Sequence, residues 1–299
     1  MNREFILSVG IASWLYRTFI RQFNKRVLGR GLCMRLPTGS VFPIPRDSRV
    51  GSAVYITQAD VDYGSEALLA RLAAGDRGFV DVGANVGYYS AYMAPAVAFV
   101  YAFEPDERAF PSLNRLQNSI PRLTAIHAAV SDTEGEGRLS YGACSDVSAL
   151  TKDSATGTPV RTCTLDSLLP FLPGHIGAIK IDTEGHELAV LAGAEALVLR
   201  DRPLILLETP VEGAIVEWAG KRGYAIGAAC KGEPNVGPVF RWFTSPDAAH
   251  VKMVLLVPAE AAEAVNAAAT ELYGTPTAYR RALKQFQSRT LHRLQQRSA

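Results

Sequence analysis

Residues 79–90 read Phe-Val-Asp-Val-Gly-Ala-Asn-Val-Gly-Tyr-Tyr-Ser, an apolar strand ending at Asp81, a short turn with Gly83, Asn85 and Gly87, and the start of a helix. In open α/β sheets, ligands settle just beyond the carboxyl ends of such strands. Gly83 permits close approach of the backbone, Gly87 permits tight packing of the helix, and free amides at the helix start can hold a carboxylate.

Around this unit the chain alternates. GFVDV is followed by a helix over 86–94, AFVYAF by a helix over 107–119, GAIKID by one over 187–199 and PLILLE by one over 211–222. Strand and helix in turn predict a parallel sheet covered on both faces, and strands buried on both faces read as near-continuous apolar runs, as these do. The expected fold is α/β, Rossmann-like and doubly wound, with a mostly parallel sheet. YAIGAA, VFRWF and KMVLLV finish it with an antiparallel terminal hairpin. Residues 36–58, with Gly39, Pro43, Pro45 and Gly51 among short β-rich runs, predict a leading hairpin, and ALLARLAAG a helix ended by Gly75. Between His127 and Asp182 the alternation lapses into short strands and turns, an insertion near the functional edge.

The turn chemistry selects the ligand. A dinucleotide site needs G-x-G-x-x-G so that a pyrophosphate can reach bare backbone. Here Asp81 stands at the first glycine's position, and its charge repels phosphates but attracts the ammonium and sulfonium of S-adenosylmethionine. Glu104, closing AFVYAFEP, can accept hydrogen bonds from both ribose hydroxyls, as it would with NAD. Asp132, at the third strand end, can meet the adenine edge or simply form the turn in SDTEG.

FVDVGANVGYYS, YAFEPDE, HAAVSDTEG, TCTLDSLL and AIKIDTEGHELAVLAGA, in this order over residues 79–208, resemble the FkbM-type family of S-adenosylmethionine-dependent methyltransferases. The resemblance implies a class I methyltransferase fold and O-methylation of a sugar, glycan or natural-product hydroxyl. It implies that Asp81, Gly83, Asn85, Gly87 and Glu104 line the cofactor pocket. Asp182, Glu184 and Glu187 correspond to its acidic motif. His186 departs from the family, which usually has a small residue there.

Methyl transfer to oxygen needs alignment and a proton acceptor. Asp182, at the fourth strand's end, is the leading base or orienting group, with Glu184, His186 and Glu208 on the same rim. Helix-dipole stabilisation accounts equally for acids near a helix start. Lys180 and Tyr89 read as structural. A metal held by Asp182, Glu184, His186 and Glu187 is conceivable, since carboxylate oxygens suit magnesium, but side chains alternate through a turn, so no metal is expected.

Composition bounds the rest. The 299 residues carry a formal charge of +2, unevenly spread: 1–49 hold nine Lys/Arg against two acids, 272–299 six against none, and 50–271 sixteen against twenty-seven. An acidic body argues against a nucleic-acid partner. Cys33, Cys144, Cys163 and Cys230 form no C-x-x-C pair, and a reducing, cytoplasmic setting is the simpler reading. Phe5, Val9, Ala12, Tyr16, Phe19, Phe23 and Val27 recur at helical spacing, and the uncharged run over 5–16 is shorter than the about 20 residues of a bilayer span. No small-residue cleavage site of the secretory type follows. The helix is expected to pack its apolar face on the domain or a partner subunit, with contact to the inner membrane face as the alternative. The division is a basic N-terminal helix (1–35), a methyltransferase domain (36–258) and a basic helical tail (259–299). Two other readings stay open: a non-catalytic scaffold that keeps the cofactor fold and docks a membrane or partner, and a nicotinamide-dependent oxidoreductase.

Overall fold

The computed structural model describes residues 9–141, 148–151, 157–232, 237–247, 251–275 and 279. Its centre is an eight-stranded sheet. In chain order the strands are β3 (Gly78–Val82), β4 (Val100–Phe103), β5 (Leu123–Ile126), β10 (Ile176–Ile181), β11 (Leu204–Leu207), β12 (Tyr224–Cys230), β13 (Val239–Phe243) and β14 (Val251–Pro258). Across the sheet the order is β13-β12-β14-β11-β10-β3-β4-β5. β5, β4, β3, β10 and β11 are parallel, and β14 lies antiparallel between β11 and β12. The expected terminal hairpin is β12 with edge strand β13.

Side chains along each central strand alternate between two cores. Phe79, Val100, Ala178 and Leu206 join a core that includes residues of helices α2 (Arg49–Thr57), α3 (Ser65–Leu72), α4 (Tyr88–Met93) and α9 (Ala262–Tyr273). Val80, Phe103, Ile179 and Leu207 join the opposite core with α6 (Glu187–Ala192), α7 (Glu195–Asp201) and α8 (Gly213–Arg222). Burial on both faces is why these strands are nearly continuous apolar runs. The chain runs β3, β4, β5 one way across the sheet and then returns to β10 and β11 on the other side. The reversal between β3 and β10 opens a crevice at their carboxyl ends.

Three sequence expectations change. The hairpin is real but earlier, β1 (Leu32–Arg35) with β2 (Val41–Ile44), and 49–57 form helix α2, whose start is capped by Ser48 Oγ accepting from Gly51 N at 2.8 Å. The helix expected over 187–199 is broken in two. Gly193 lies so close to Ser131 that a Cβ would stand 2.0 Å from its carbonyl oxygen, and the helix is interrupted there. The irregular insertion contains a second sheet, β6 (Ala129–Val130), β9 (Thr158–Cys163), β7 (Gly135–Ser140) and β8 (Ala149–Thr151), in that spatial order.

Helix α1 (Ile11–Arg26) overturns the expected packing. Its buried residues are Arg21 and Asn24, while Leu15, Tyr16, Phe19 and Phe23 face outward. Arg21 Nη2 donates to the carbonyls of Pro45 (2.7 Å) and Arg46 (2.9 Å), and its Nε donates to Ser52 Oγ (3.0 Å). Arg17 donates to the Ile56 carbonyl at 2.9 Å. The hairpin and α2 present bare carbonyls here, and a guanidinium with its fan of donors satisfies several at once. Phe5 and most of the basic tail lie outside the described residues.

Candidate active site

A cavity of about 290 Å3 opens at the carboxyl ends of β3, β4, β10 and β11. Of the residues expected there, Gly83, Asn85, Glu104, Asp182, Glu184, His186 and Glu208 line it; Asp81, Gly87 and Asp132 do not. Asp62, Tyr89 and Lys180 line it as well.

The turn after β3 is shaped by the protein more than by a ligand. Gly83 adopts φ +71°, and a Cβ there would stand 1.8 Å from the Asp182 carbonyl, so glycine lets β3 and β10 end side by side. Gly87, at φ +86°, lies against Leu113 and Leu116 of helix α5 (Phe110–Gln117), so its contact is helix to helix and not helix to sheet. Asn85 also takes the left-handed conformation, at φ 50°.

That conformation points Asn85 N at Glu104 Oε2 (2.6 Å), while Asp106 N donates to Oε1 (2.7 Å). Glu104 is thereby fixed at the cavity wall with a lone pair left on each oxygen. Burial pushes its carboxyl up to about 7, and the two amides pull against that rise.

Asp81 is fully buried behind the turn. Its Oδ2 accepts from Ser90 Oγ at 2.6 Å, and its Oδ1 faces Lys180 Nζ at 3.6 Å. Burial raises its carboxyl, and the nearby ammonium opposes the rise. Lys180 also reaches Asp182 Oδ2 (3.1 Å) and donates to the Gly83 carbonyl (2.8 Å). Burial works against the lysine's charge, but Asp182 and Asp81 outweigh it and hold the ammonium above the usual lysine range. The strand-tip charge read from Asp81 is therefore matched internally by Lys180, and the charge facing the cavity comes from other acids.

Those acids form a rim. Glu208, next to the end of β11, shares a hydrogen bond with Asp182; loss of water and then the Asp182 charge push Glu208 up to about 9. Glu184 sits in the following turn at φ 53°. Glu187 Oε1 accepts from Thr183 N (3.1 Å), Thr183 Oγ1 (3.1 Å) and Gly185 N (3.0 Å), which ties this turn down and occupies the side chain in structure. His186 Nε2 meets Ser131 Oγ at 2.9 Å, and Ser131 donates to Asp132 Oδ1 at 3.0 Å. Asp132 is thus exposed and linked to the cavity only through serine and histidine. Among the described residues, no group of His, Cys, Asp and Glu is spaced to hold a metal ion.

Asp62 was not anticipated. It comes from the irregular turn between α2 and α3, and its Oδ2 accepts from Tyr89 Oη at 2.8 Å. Burial raises its carboxyl, Lys252 opposes the rise, and Asp182 adds to it, which places the two acids in one electrostatic site. The surrounding sequence, QADVDYGSE, carries no motif; its only signal is two acids just before an apolar helix and a third in the helix's first turn.

No curated protein matches the sequence at a significant level. Solved structures similar to the chain include an FkbM methyltransferase from Methylobacillus flagellatus KT (15% identity, 60% of this chain against 43% of that one, TM-score 0.41). The chain thus spans less than half the length of that protein. Others are magnesium protoporphyrin IX methyltransferase from Synechocystis PCC 6803 with bound SAM (14%, 81% against 96%, 0.39) and the tRNA (uracil-54, C5)-methyltransferase of Pyrococcus abyssi in complex with S-adenosyl-L-homocysteine (14%, 76% against 43%, 0.41). Residues 81–253, more than half of the chain, match the methyltransferase FkbM domain, and the motif-bearing strand ends from Asp81 to Glu208 fall inside that match. The chain belongs to the FkbM methyltransferase family.

Proposed function

We propose that this chain binds S-adenosylmethionine at the β3–β4 side of the cavity and methylates a hydroxyl oxygen of a sugar, glycan or small natural product on the β10–β11 side. One observation carries the reading: the neighbouring carboxyls of Asp182 and Glu208 line the same cavity as a carboxyl, Glu104, that two backbone amides hold in place. The donor set suits the cofactor. Glu104 can receive two ribose hydroxyls, whose donation favours its ionised form. Asp62, Asp182 and Glu184 face the cavity with carboxyls that suit an ammonium and a sulfonium.

When bound, the cofactor supplies an electrophilic methyl carbon and a neutral thioether leaving group. The protein's part is positioning and proton removal. Lys180, with its ammonium 3.1 Å from Asp182 Oδ2, orients that carboxyl, and Glu208 lies beside it. Asp182 accepts the hydrogen bond of the acceptor hydroxyl and takes its proton as the oxygen gains carbon, when that proton is most acidic and a weak base suffices. Asp62, fixed by Tyr89, offers a second acceptor for a neighbouring hydroxyl, which suits a polyhydroxylated molecule.

Titration calorimetry joined to a labelled-methyl assay on hydroxylated acceptors tests both halves. Glu104→Ala should bind S-adenosylmethionine at least about tenfold more weakly. Asp182→Asn should keep the affinity and lose about 100-fold or more in transfer rate. Unchanged affinity in Glu104→Ala removes the pocket assignment. Tight cofactor binding with no methyl gain on any hydroxylated acceptor points instead to the scaffold role.

A further inference from the structure

The outward face of α1 carries what the rest of the described surface lacks. Ile11 is 64% exposed, Leu15 55%, Tyr16 66%, Phe19 65%, Phe23 41% and Val27 67%, and the Phe19 and Phe23 rings stack with centroids 6.1 Å apart. A helix advances about 100° per residue, so Ile11, Leu15, Phe19 and Phe23 fall on one stripe, with Arg26 on the same arc. The remaining large exposed apolar residues of the described surface, such as Phe171, Leu188 and Leu199, sit singly on separate elements. The orientation is built in: turning the stripe inward would pull the buried Arg21 guanidinium off the Pro45 and Arg46 carbonyls. A contiguous apolar face held outward in this way marks an interaction surface.

We propose that this face seats on an anionic lipid surface, with α1 lying flat in the interfacial layer and the methyltransferase domain on the aqueous side. At 16 residues the helix fits in-plane binding, and no helix of the described residues is long and apolar enough to cross a membrane. Charge points the same way. Residues 1–49 hold nine Lys/Arg against two acids; the exposed Arg26 falls on the arc of the apolar stripe, and Arg30, Arg35 and Arg46 are exposed on the segments that follow the helix. Anionic headgroups attract such cationic groups. A second copy is the weaker occupant. Pairing this face with itself, the arrangement of a two-fold dimer, sets two such cationic segments against each other. Elsewhere on the described surface a copy offers only scattered apolar residues, not a matching patch.

The test is co-sedimentation of the full chain with phosphatidylcholine vesicles, with and without about one-third phosphatidylglycerol, paired with sedimentation velocity in the absence of lipid. The full chain should pellet with anionic vesicles at low salt and much less with neutral ones. Phe19→Ser with Phe23→Ser should cut the bound fraction about tenfold or more, and Arg26→Glu should lower it and flatten its salt dependence. Melting temperature and cofactor affinity should stay unchanged in both variants, which separates this test from the catalytic reading. Equal pelleting of the wild type and the double serine variant overturns the proposal. A lipid-indifferent dimer that the double variant dissolves also overturns it and assigns the face to a second copy.

Discussion

Helix α4 buries all six of its residues, Tyr88 to Met93, whereas in the sixteen-residue α1 the buried residues are Arg21 and Asn24. Helix α4 follows directly from strand β3 and is pressed between the sheet, the β1–β2 hairpin and α3, so apolar burial sets its place. Helix α1 is appended to a surface of carbonyls with acceptor capacity to spare, and there the hydrogen-bonding power of arginine outweighs the tendency of Phe19 and Phe23 to turn inward. An amphipathic stripe thus shows that a helix has two faces, but the surface it meets decides which face is covered.

Three measurements can break or sharpen this contrast. The largest effect is expected in α4. Tyr92 is fully buried and makes an edge-on contact with Tyr88, with centroids 5.9 Å apart, so Tyr92→Ala should lower the unfolding free energy by about 4 kcal/mol in chemical denaturation. A loss below about 1 kcal/mol would mean that burial is not what holds α4. In α1 the sensitive position is the charged one: Arg21→Met keeps the bulk, strips donors from the buried carbonyls, and should cost about 2 kcal/mol. If methionine is tolerated there without loss, the outward stripe is not held by Arg21.

The smallest effect is pH-dependent and lies beneath α4. Glu66 Oε1 accepts from Val61 N (2.8 Å), Asp62 N (3.0 Å) and Tyr88 Oη (3.0 Å), and so organises the turn that carries Asp62 into the cavity. Burial, reinforced by Asp62 and Asp60, pushes its carboxyl up to about 8. A carboxyl raised in the folded state holds a proton that the unfolded chain has already released. Its contribution is complete below an ordinary carboxyl value of about 4.5 and is lost as pH rises toward 8. Glu66→Gln should therefore flatten the fall in melting temperature between acidic and alkaline pH, and gain about 1 kcal/mol relative to wild type at the alkaline end. An unaltered pH profile would show that Glu66 is ionised in the folded protein.

The candidate site was legible in uneven measure. Glu104, Asp182 and Glu208 were visible because each stands at or next to the carboxyl end of an apolar strand, where sheet geometry forces a crevice. Gly83 was visible as a turn glycine, but its reason, the Asp182 carbonyl beneath it, belongs to another strand about a hundred residues away. Lys180 read as structural because a lone lysine in an apolar strand gives no sign that two carboxylates close around it from β3 and from its own strand end. Asp62 had no signature at all, since an irregular turn has no periodicity to betray which way its side chain points.

What the sequence determined by itself is what depends on neighbours a few residues away: the alternation of strands and helices, the two-faced burial of the parallel strands, the motif order that marks the family, and the acids at the strand ends. Only the tertiary structure decided which of those acids face open space and which are matched by Lys180, how Asp62 enters the cavity, and which way α1 is turned. These outcomes follow from charges and hydrogen bonds between segments far apart in the chain. Their energies depend on distance and burial in the folded state, and no local pattern of residues records either.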